Sequence, residues 1–478
     1  MSFVDPFFFI FLIIAFTGFH FLNETGRKSV GISFSASGFL LILSLFFYGY
    51  FKPVYLFLLI GSSLAAWFAA GLMDGIFLKK RFLSIDGSAR KWILAAAVTG
   101  LLFPLFFFKY SNFALSNLQI SGIFENAKPV HFLLPLGISF FTFQNISYIT
   151  DVYRKMIPAE KNPFKYGLYI SFFPQLVAGP IVTARSFLPQ LEIRKKFSDL
   201  DLRLAAFYLL SGYIKKTVFA DRLGVFVDPV FHDPSSVGWI GTAAAVLGYS
   251  FQIYFDFSGY SDIAIGIGHL FGIKLPENFN FPYSSAGFRQ FWRNWHITLS
   301  IWLRDHIYIP LGGSRQGRIR LYLSLVATMF LGGLWHGAHW NFVIWGLGHG
   351  ALLVLDRFVP DRISKTIILK QLYVLFTFLA VSLLWIFFRT ASEEDALDKT
   401  LSLFHSIFTL EEGAYSEKAL RFVLQTSVLV LLFTFFYNKI FNFYRKLSPF
   451  LSGLIASALI LLIIVYAPRS SSFIYFVF

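Results

Sequence analysis

No cysteine occurs anywhere in the 478 residues. That absence removes disulfides, thiolate metal ligands, S-palmitoylation and any acyl relay through a cysteine. Charge is also scarce: Asp, Glu, Lys and Arg make up 14% of the chain, against 56% hydrophobic residues. A soluble domain could not cover so much apolar surface with so little polar exterior. Two catalytic signatures are missing as well. There is no His-Glu-x-x-His motif to bind zinc and no Gly-x-Ser-x-Gly elbow to present a serine, which argues against an intramembrane hydrolase. The sequence contains no internal repeat, no low-complexity tract and no linker that would set off a soluble domain.

What is present is a series of apolar runs near the roughly 20 residues that cross hydrocarbon. They cover 7–22, 33–50, 54–78, 92–110, 131–150, 165–182, 204–221, 238–256, 259–273, 321–335, 338–356, 368–388, 421–437 and 451–467. Several are short or interrupted by Gly and Pro. The expected fold is therefore an all-α polytopic integral membrane protein, one membrane-embedded domain over 1–478, with about eleven transmembrane helices plus re-entrant and interfacial ones. The first run, about Phe7 to Phe21, has no basic region before it and no small-residue cleavage site, and reads as a retained helix.

The formal charge of +15 falls in short Lys/Arg clusters between apolar runs. That is the pattern of the positive-inside rule and not a nucleic-acid footprint, and some of it can also attract anionic lipid headgroups. Arg27-Lys28, Lys79-Lys80-Arg81 and Arg154-Lys155 follow odd-numbered runs, which puts them in the cytoplasm and the N-terminus outside. The next block, Arg194-Lys195-Lys196, comes one run too early. Phe173-Pro174-Gln175-Leu176-Val177-Ala178-Gly179-Pro180 lies between, and its prolines and glycine predict a broken, re-entrant segment. From Gly272 to Tyr322 the chain mixes Arg289, Arg293 and Arg304 with Trp292, Trp295 and Trp302, as interfacial helices do.

Ionisable side chains at membrane depth are costly and mark cavities, partners or reactions. His336 stands in Trp335-His336-Gly337-Ala338-His339-Trp340, and His296 in Phe291-Trp292-Arg293-Asn294-Trp295-His296. Two such imidazoles point to proton transfer at an oxygen acceptor. His336 comes some seventeen residues after the chain turns inward, deep in the bilayer if the helix is unbroken; Gly332-Gly333 is a possible break. His339 forms a His-x-x-His pair with His336, but with no third ligand evident no metal is expected.

These motifs carry a resemblance. Residues 131–355 resemble the catalytic core of the membrane-bound O-acyltransferase (MBOAT) family, in its bacterial branch of alginate and cell-wall polysaccharide O-acetylases. The resemblance rests on Leu134-Pro135-Leu136-Gly137, the Phe173–Pro180 stretch, Tyr254-Phe255-Asp256-Phe257-Ser258-Gly259-Tyr260-Ser261-Asp262, and the two histidine motifs, in the expected order. It implies a ring of helices around a central tunnel, with donor entering from the cytoplasm and acceptor from the other side. It implies that His336 is the essential catalytic histidine and that His296 occupies the family's second position. A sugar hydroxyl is a poor nucleophile until a base takes its proton, and a neutral imidazole suits that work. His296 could orient the donor thioester or hold charge on its carbonyl oxygen.

Other roles follow with two readings each. Arg289, Arg293 and Arg304, with Trp295, either clamp an anionic donor or anchor the interface. Asp256 and Asp262 either line the tunnel as a proton relay or satisfy backbone at a helix break. His339, Gln175, Tyr254 and Trp335 are expected as polar or supporting groups of the tunnel. The resemblance implies acetyl-CoA or another acyl thioester as donor, with no tightly bound cofactor. It further implies an extracytoplasmic polysaccharide as acceptor, a periplasmic or extracellular acyltransferase partner, and residence in the inner (cytoplasmic) membrane. The competing reading is a transporter or acyl-group conduit without chemistry of its own; broken helices and buried polar groups suit that too, but no paired inverted halves are visible.

Overall fold

The structure, a computed structural model, describes residues 1–25, 31–76, 87–124, 126–129, 133–234, 237–360, 363, 366–393, 395–410, 413, 417–466 and 473–474. Arg27-Lys28 and Lys79-Lys80-Arg81 lie outside the described residues. Among the described residues every regular element is helical. Two compact units are formed, one by Met1–Ala205 with Ala264–Pro276 and the other by Ala206–Ile263 with Glu277–Phe478.

The first unit holds α1 (Pro6–Thr25), α2 (Phe34–Gly49), α3 (Tyr55–Met73), α4 (Gly87–Ile120), α5 (Ile138–Tyr153) and α6 (Pro163–Ser171). Ser33 caps α2 by accepting the Ala36 N–H, and Asn162 caps α6 in the same way ahead of Pro163. The segment after α6 is broken, as its prolines predict. A single turn over Phe173–Leu176 is followed by non-helical backbone, and residues 171–182 are all buried. Such backbone is tolerated at membrane depth only when protein encloses it. Gly137 is needed beneath it: at φ +68° a Cβ there would sit 2.5 Å from the Leu176 carbonyl oxygen. Phe173 is clasped by Phe11 and Phe47, at ring distances of 5.1 and 5.6 Å.

The second unit begins within the next helix, α7 (Leu202–Tyr213), which runs through a π-helical stretch (Ile214–Ala220) into α8 (Asp221–His232). Then come α9 (Gly238–Leu270), α10 (Phe288–Asn294), α11 (Ile297–Leu303) and a second π-helical turn (Arg304–Tyr308). They are followed by α12 (Gly317–His336), α13 (Trp340–Leu355), α14 (Ile367–Thr390), α15 (Ala396–Thr409), α16 (Glu417–Lys446) and α17 (Pro449–Tyr466). The separate runs expected at 238–256 and 259–273 are one helix through Leu270, because Gly259 keeps helical conformation between its neighbours. Gly332-Gly333 does not break α12 either; the glycines serve contact instead. Across the α12–α13 hairpin, a Cβ on Gly333 would lie 2.2 Å from the Phe342 carbonyl oxygen, and one on Gly346 would lie 2.4 Å from that of Met329. At 1.5 Å per residue, the uninterrupted α12 rises roughly 30 Å to His336.

Among the described residues, five helices are long and apolar enough to cross a membrane: Pro6–Thr25, Tyr55–Met73, Gly87–Ile120, Gly317–His336 and Ile367–Thr390. Their outer faces expose large apolar side chains such as Phe7, Phe57, Phe103, Leu323 and Leu372. Water would not tolerate so much continuous apolar surface, whereas lipid does. This is a polytopic helical membrane protein. The stretch from Gly272 to Tyr322, expected at the interface, consists of irregular backbone, a 3-10 turn (Pro282–Ser284), the short helices α10 and α11, the π turn and the start of α12.

Candidate active site

His336 is the last residue of α12, and Gly337 leaves the helix in extended conformation. The chain reverses at once, and His339 caps α13 by accepting the Asn341 N–H on Nδ1 at 3.1 Å. The His336 imidazole is only 4% exposed and sits among rings. The centroids of Trp335, Phe388 and Trp345 lie 4.8, 4.9 and 5.0 Å away.

His296 occupies the break between α10 and α11, where its backbone is left-handed at φ +41°. That conformation costs a non-glycine residue on the order of 1–3 kcal/mol. Asn278 holds it there: its Oδ1 accepts from His296 Nδ1 at 3.1 Å, from the Thr298 N–H at 3.2 Å and from the Thr298 hydroxyl at 2.9 Å. An amide oxygen has no proton to give, so His296 Nδ1 carries the hydrogen and Nε2 has the lone pair in the neutral ring. Trp335 joins the two histidines, 4.8 Å from His336 and 5.9 Å from His296 by ring centroid.

Beside α10 and α11 opens a cavity of about 580 Å³. Arg289, Arg293, Arg304 and Arg357 bring charge to it, and Trp292, Leu303, Met329 and Leu353 an apolar wall. Arg289 is tied to Asp356 at 2.8 Å, and Arg304 to Asp305 at 2.7 Å. Asp356 also accepts the N–H groups of Phe288 and Arg289 and the Tyr373 hydroxyl, so it fixes the start of α10. Gly287, at φ +107°, makes room for it: a Cβ there would meet Asp356 Oδ1 at 2.6 Å.

The other expected site residues are dispersed. Trp295 is buried in an aromatic core, stacked on Phe291 and 4.9 Å from Trp385, and is not among the side chains lining the cavity. Tyr254 packs into the same core against Trp295, Phe279 and Tyr283. Gln175 belongs to the first unit, where its side-chain N–H donates to the Tyr169 carbonyl at 2.6 Å. Asp256 and Asp262 lie inside the continuous α9 and not at a helix break. Each carries a buried ion pair: Lys216 bridges Asp256 at 2.7 Å and Asp221 at 2.8 Å, while Lys215 meets Asp262 at 2.6 Å.

Sequence reasoning missed Asn278, Asp356, both lysines and His349. The lysines had a signal, two adjacent cations inside the apolar run 204–221. His349 is fully buried on α13, and its Nδ1 accepts from Trp292 Nε1 at 3.3 Å. Among the described residues no group of three or more His, Asp or Glu could hold a metal ion.

Comparison with known proteins adds the class of chemistry. The family model described as the membrane-bound O-acyltransferase family matches residues 157–392. The peptidoglycan O-acetyltransferase of Helicobacter pylori is 38% identical over 421 residues, 82% of this chain and 77% of that one. The protein named "Probable alginate O-acetylase AlgI" of Azotobacter vinelandii is 40% identical over 72% of this chain and 68% of its own. The teichoic acid D-alanyltransferase of Bacillus subtilis is 29% identical over 56% of this chain and 68% of its own. The chain belongs to the membrane-bound O-acyltransferase family. It is an O-acyltransferase embedded in a membrane.

Proposed function

We propose that the protein transfers an acetyl or other short acyl group from a cytoplasmic thioester, such as acetyl-CoA, to a hydroxyl beyond the inner (cytoplasmic) membrane. The acceptor is a cell-envelope polysaccharide or a periplasmic or extracellular acyltransferase that passes the group on. The relatives' names supply this substrate class, since they act on peptidoglycan, alginate and teichoic acid.

The observation that carries the reading is His336, buried among aromatic rings and sharing Trp335 with His296. In this reading His336 is the general base that takes the acceptor hydroxyl's proton, and His296 orients the donor. General base catalysis typically contributes about 10²–10⁴-fold. The cavity supports a donor that is charged at one end and apolar at the other. Arginines that pair well with phosphate flank it, and an apolar wall suits the chain that carries the thioester.

The test is ester formation in membranes carrying wild type, His336→Ala or His296→Ala, supplied with radiolabelled acetyl-CoA and cell-envelope acceptor. His336→Ala should lose product at least 10²-fold while the protein remains in the membrane. Transfer that survives both substitutions would reject the histidine chemistry and favour a conduit serving another enzyme.

A further inference from the structure

Trp345 and His349 lie one turn apart on α13, so their side chains share a face of the helix. Their rings are 4.7 Å apart by centroid, and the residues are 1% and 0% exposed. The hydrogen bond from Trp292 Nε1 to His349 Nδ1 makes Nδ1 an acceptor, which leaves the proton of the neutral ring on Nε2. Among the described residues, neither His349 Nε2 nor Trp345 Nε1 has a hydrogen-bond partner. Two N–H donors are thus buried side by side with no protein acceptor. A buried donor left without an acceptor loses its hydration and gains nothing in return, so the pair calls for an explanation. The same indole packs edge-on against His336, at 5.0 Å and 83°.

We propose that Trp345 Nε1–H and His349 Nε2–H bind the carbonyl oxygen of the acyl thioester and hold the negative charge that develops on it. This rests on the reading of His336 as the base. The acceptor hydroxyl gives its proton to His336 as its oxygen bonds to the acyl carbon. The carbonyl electron pair moves onto the oxygen, which the two donors stabilise. That pair then returns to restore the carbonyl, the C–S bond breaks, and the departing sulfur takes the proton from His336. The products are an ester and a thiol. Donors positioned in advance at such an oxygen are worth about 10²–10³-fold each in kcat.

A series of amide substitutions tests this with a readout that packing alone would not give. His349→Asn keeps an oxygen near Nδ1 to accept from Trp292 but offers no donor near Nε2. His349→Gln does the opposite, placing an amide N–H near Nε2. Membranes carrying the full chain are supplied with radiolabelled acetyl-CoA and envelope polysaccharide, and protein amount and melting temperature are read in parallel. His349→Asn and Trp345→Phe should each lower turnover about 10²-fold with donor KM little changed, and His349→Gln should recover most of it. The reverse order, an active Asn and an inactive Gln, would assign His349 to holding Trp292 and overturn the proposal. Equal losses in all three variants, with lowered melting temperatures, would also overturn it. His336→Ala in the same series keeps the two ideas apart. Activity in that variant sinks the base assignment; its loss beside an active His349→Asn sinks only the donor pair.

Discussion

Gly333→Ala adds one methyl group where the α12–α13 hairpin has no space for it. A Cβ on Gly333 would stand 2.2 Å from the Phe342 carbonyl oxygen and 3.1 Å from Gly346 Cα. Both neighbours are backbone, so no side chain can rotate away. To restore ordinary contact the two helices must part by roughly 1 Å, an overpacking strain of about 1–3 kcal/mol. Alanine's better helix propensity offsets about 0.8–1 kcal/mol of that. A net loss of up to about 2 kcal/mol remains. Activity should fall further than stability, because α12 carries the proposed base His336 and α13 the proposed donors Trp345 and His349. A displacement of about 1 Å at a reacting group can cost about 10²-fold in rate. The neighbouring glycine is the control: a Cβ on Gly332 meets only Leu303 Cδ1, at 3.3 Å, the movable end of a side chain. Melting in detergent and ester formation in membranes, measured on both variants, check the reasoning. It is refuted if Gly333→Ala melts and turns over like Gly332→Ala.

Lys216→Met would leave Asp256 and Asp221 facing each other without their cation, and breaking a buried pair costs about 3–5 kcal/mol. Asp256→Asn should be milder, since Asp221 still pairs Lys216; immunoblots of membrane fractions and melting temperatures would reveal the opposite order if this account is wrong. Outside the spans, Glu393 is hydrogen-bonded by Lys399 and Arg389. Burial alone would raise its carboxyl, but those bonds outweigh it and hold the group below its ordinary value of 4.5. A lowered folded-state pKa gives stability that is present above the ordinary value and is lost as pH falls through the lowered one. The melting advantage of wild type over Glu393→Gln should therefore be full at neutral pH and shrink below about 4.5. A gap that widens on acidification would contradict the assignment.

Much of the molecule is legible in its sequence. Apolar runs with little charge set the polytopic helical class, because only internally bonded helices satisfy the backbone in lipid. The Pro and Gly content of Phe173–Pro180 marked the break that the structure contains. His336 and His296 stood out because an imidazole in an apolar run needs a reason to be there. Motif order carried the family. Run counting fails at α9, where the runs 238–256 and 259–273 are one continuous helix, and at Gly332-Gly333, a possible break in the sequence that serves close helix contact. A glycine breaks a helix or seats a neighbouring one according to what lies beside it, and one-dimensional sequence does not contain that neighbour.

Composition and local pattern thus determined the solvent, the class of secondary structure and which residue types were anomalous, since each depends on a side chain and its near neighbours. Partners separated by long stretches of chain were settled only by the tertiary structure. It gave Asn278 to His296, Lys216 to Asp256, Asp356 to the start of α10, and His349 to Trp292. A hydrogen bond or ion pair depends on distance and direction in space, and residues far apart in sequence acquire those only when the helices pack.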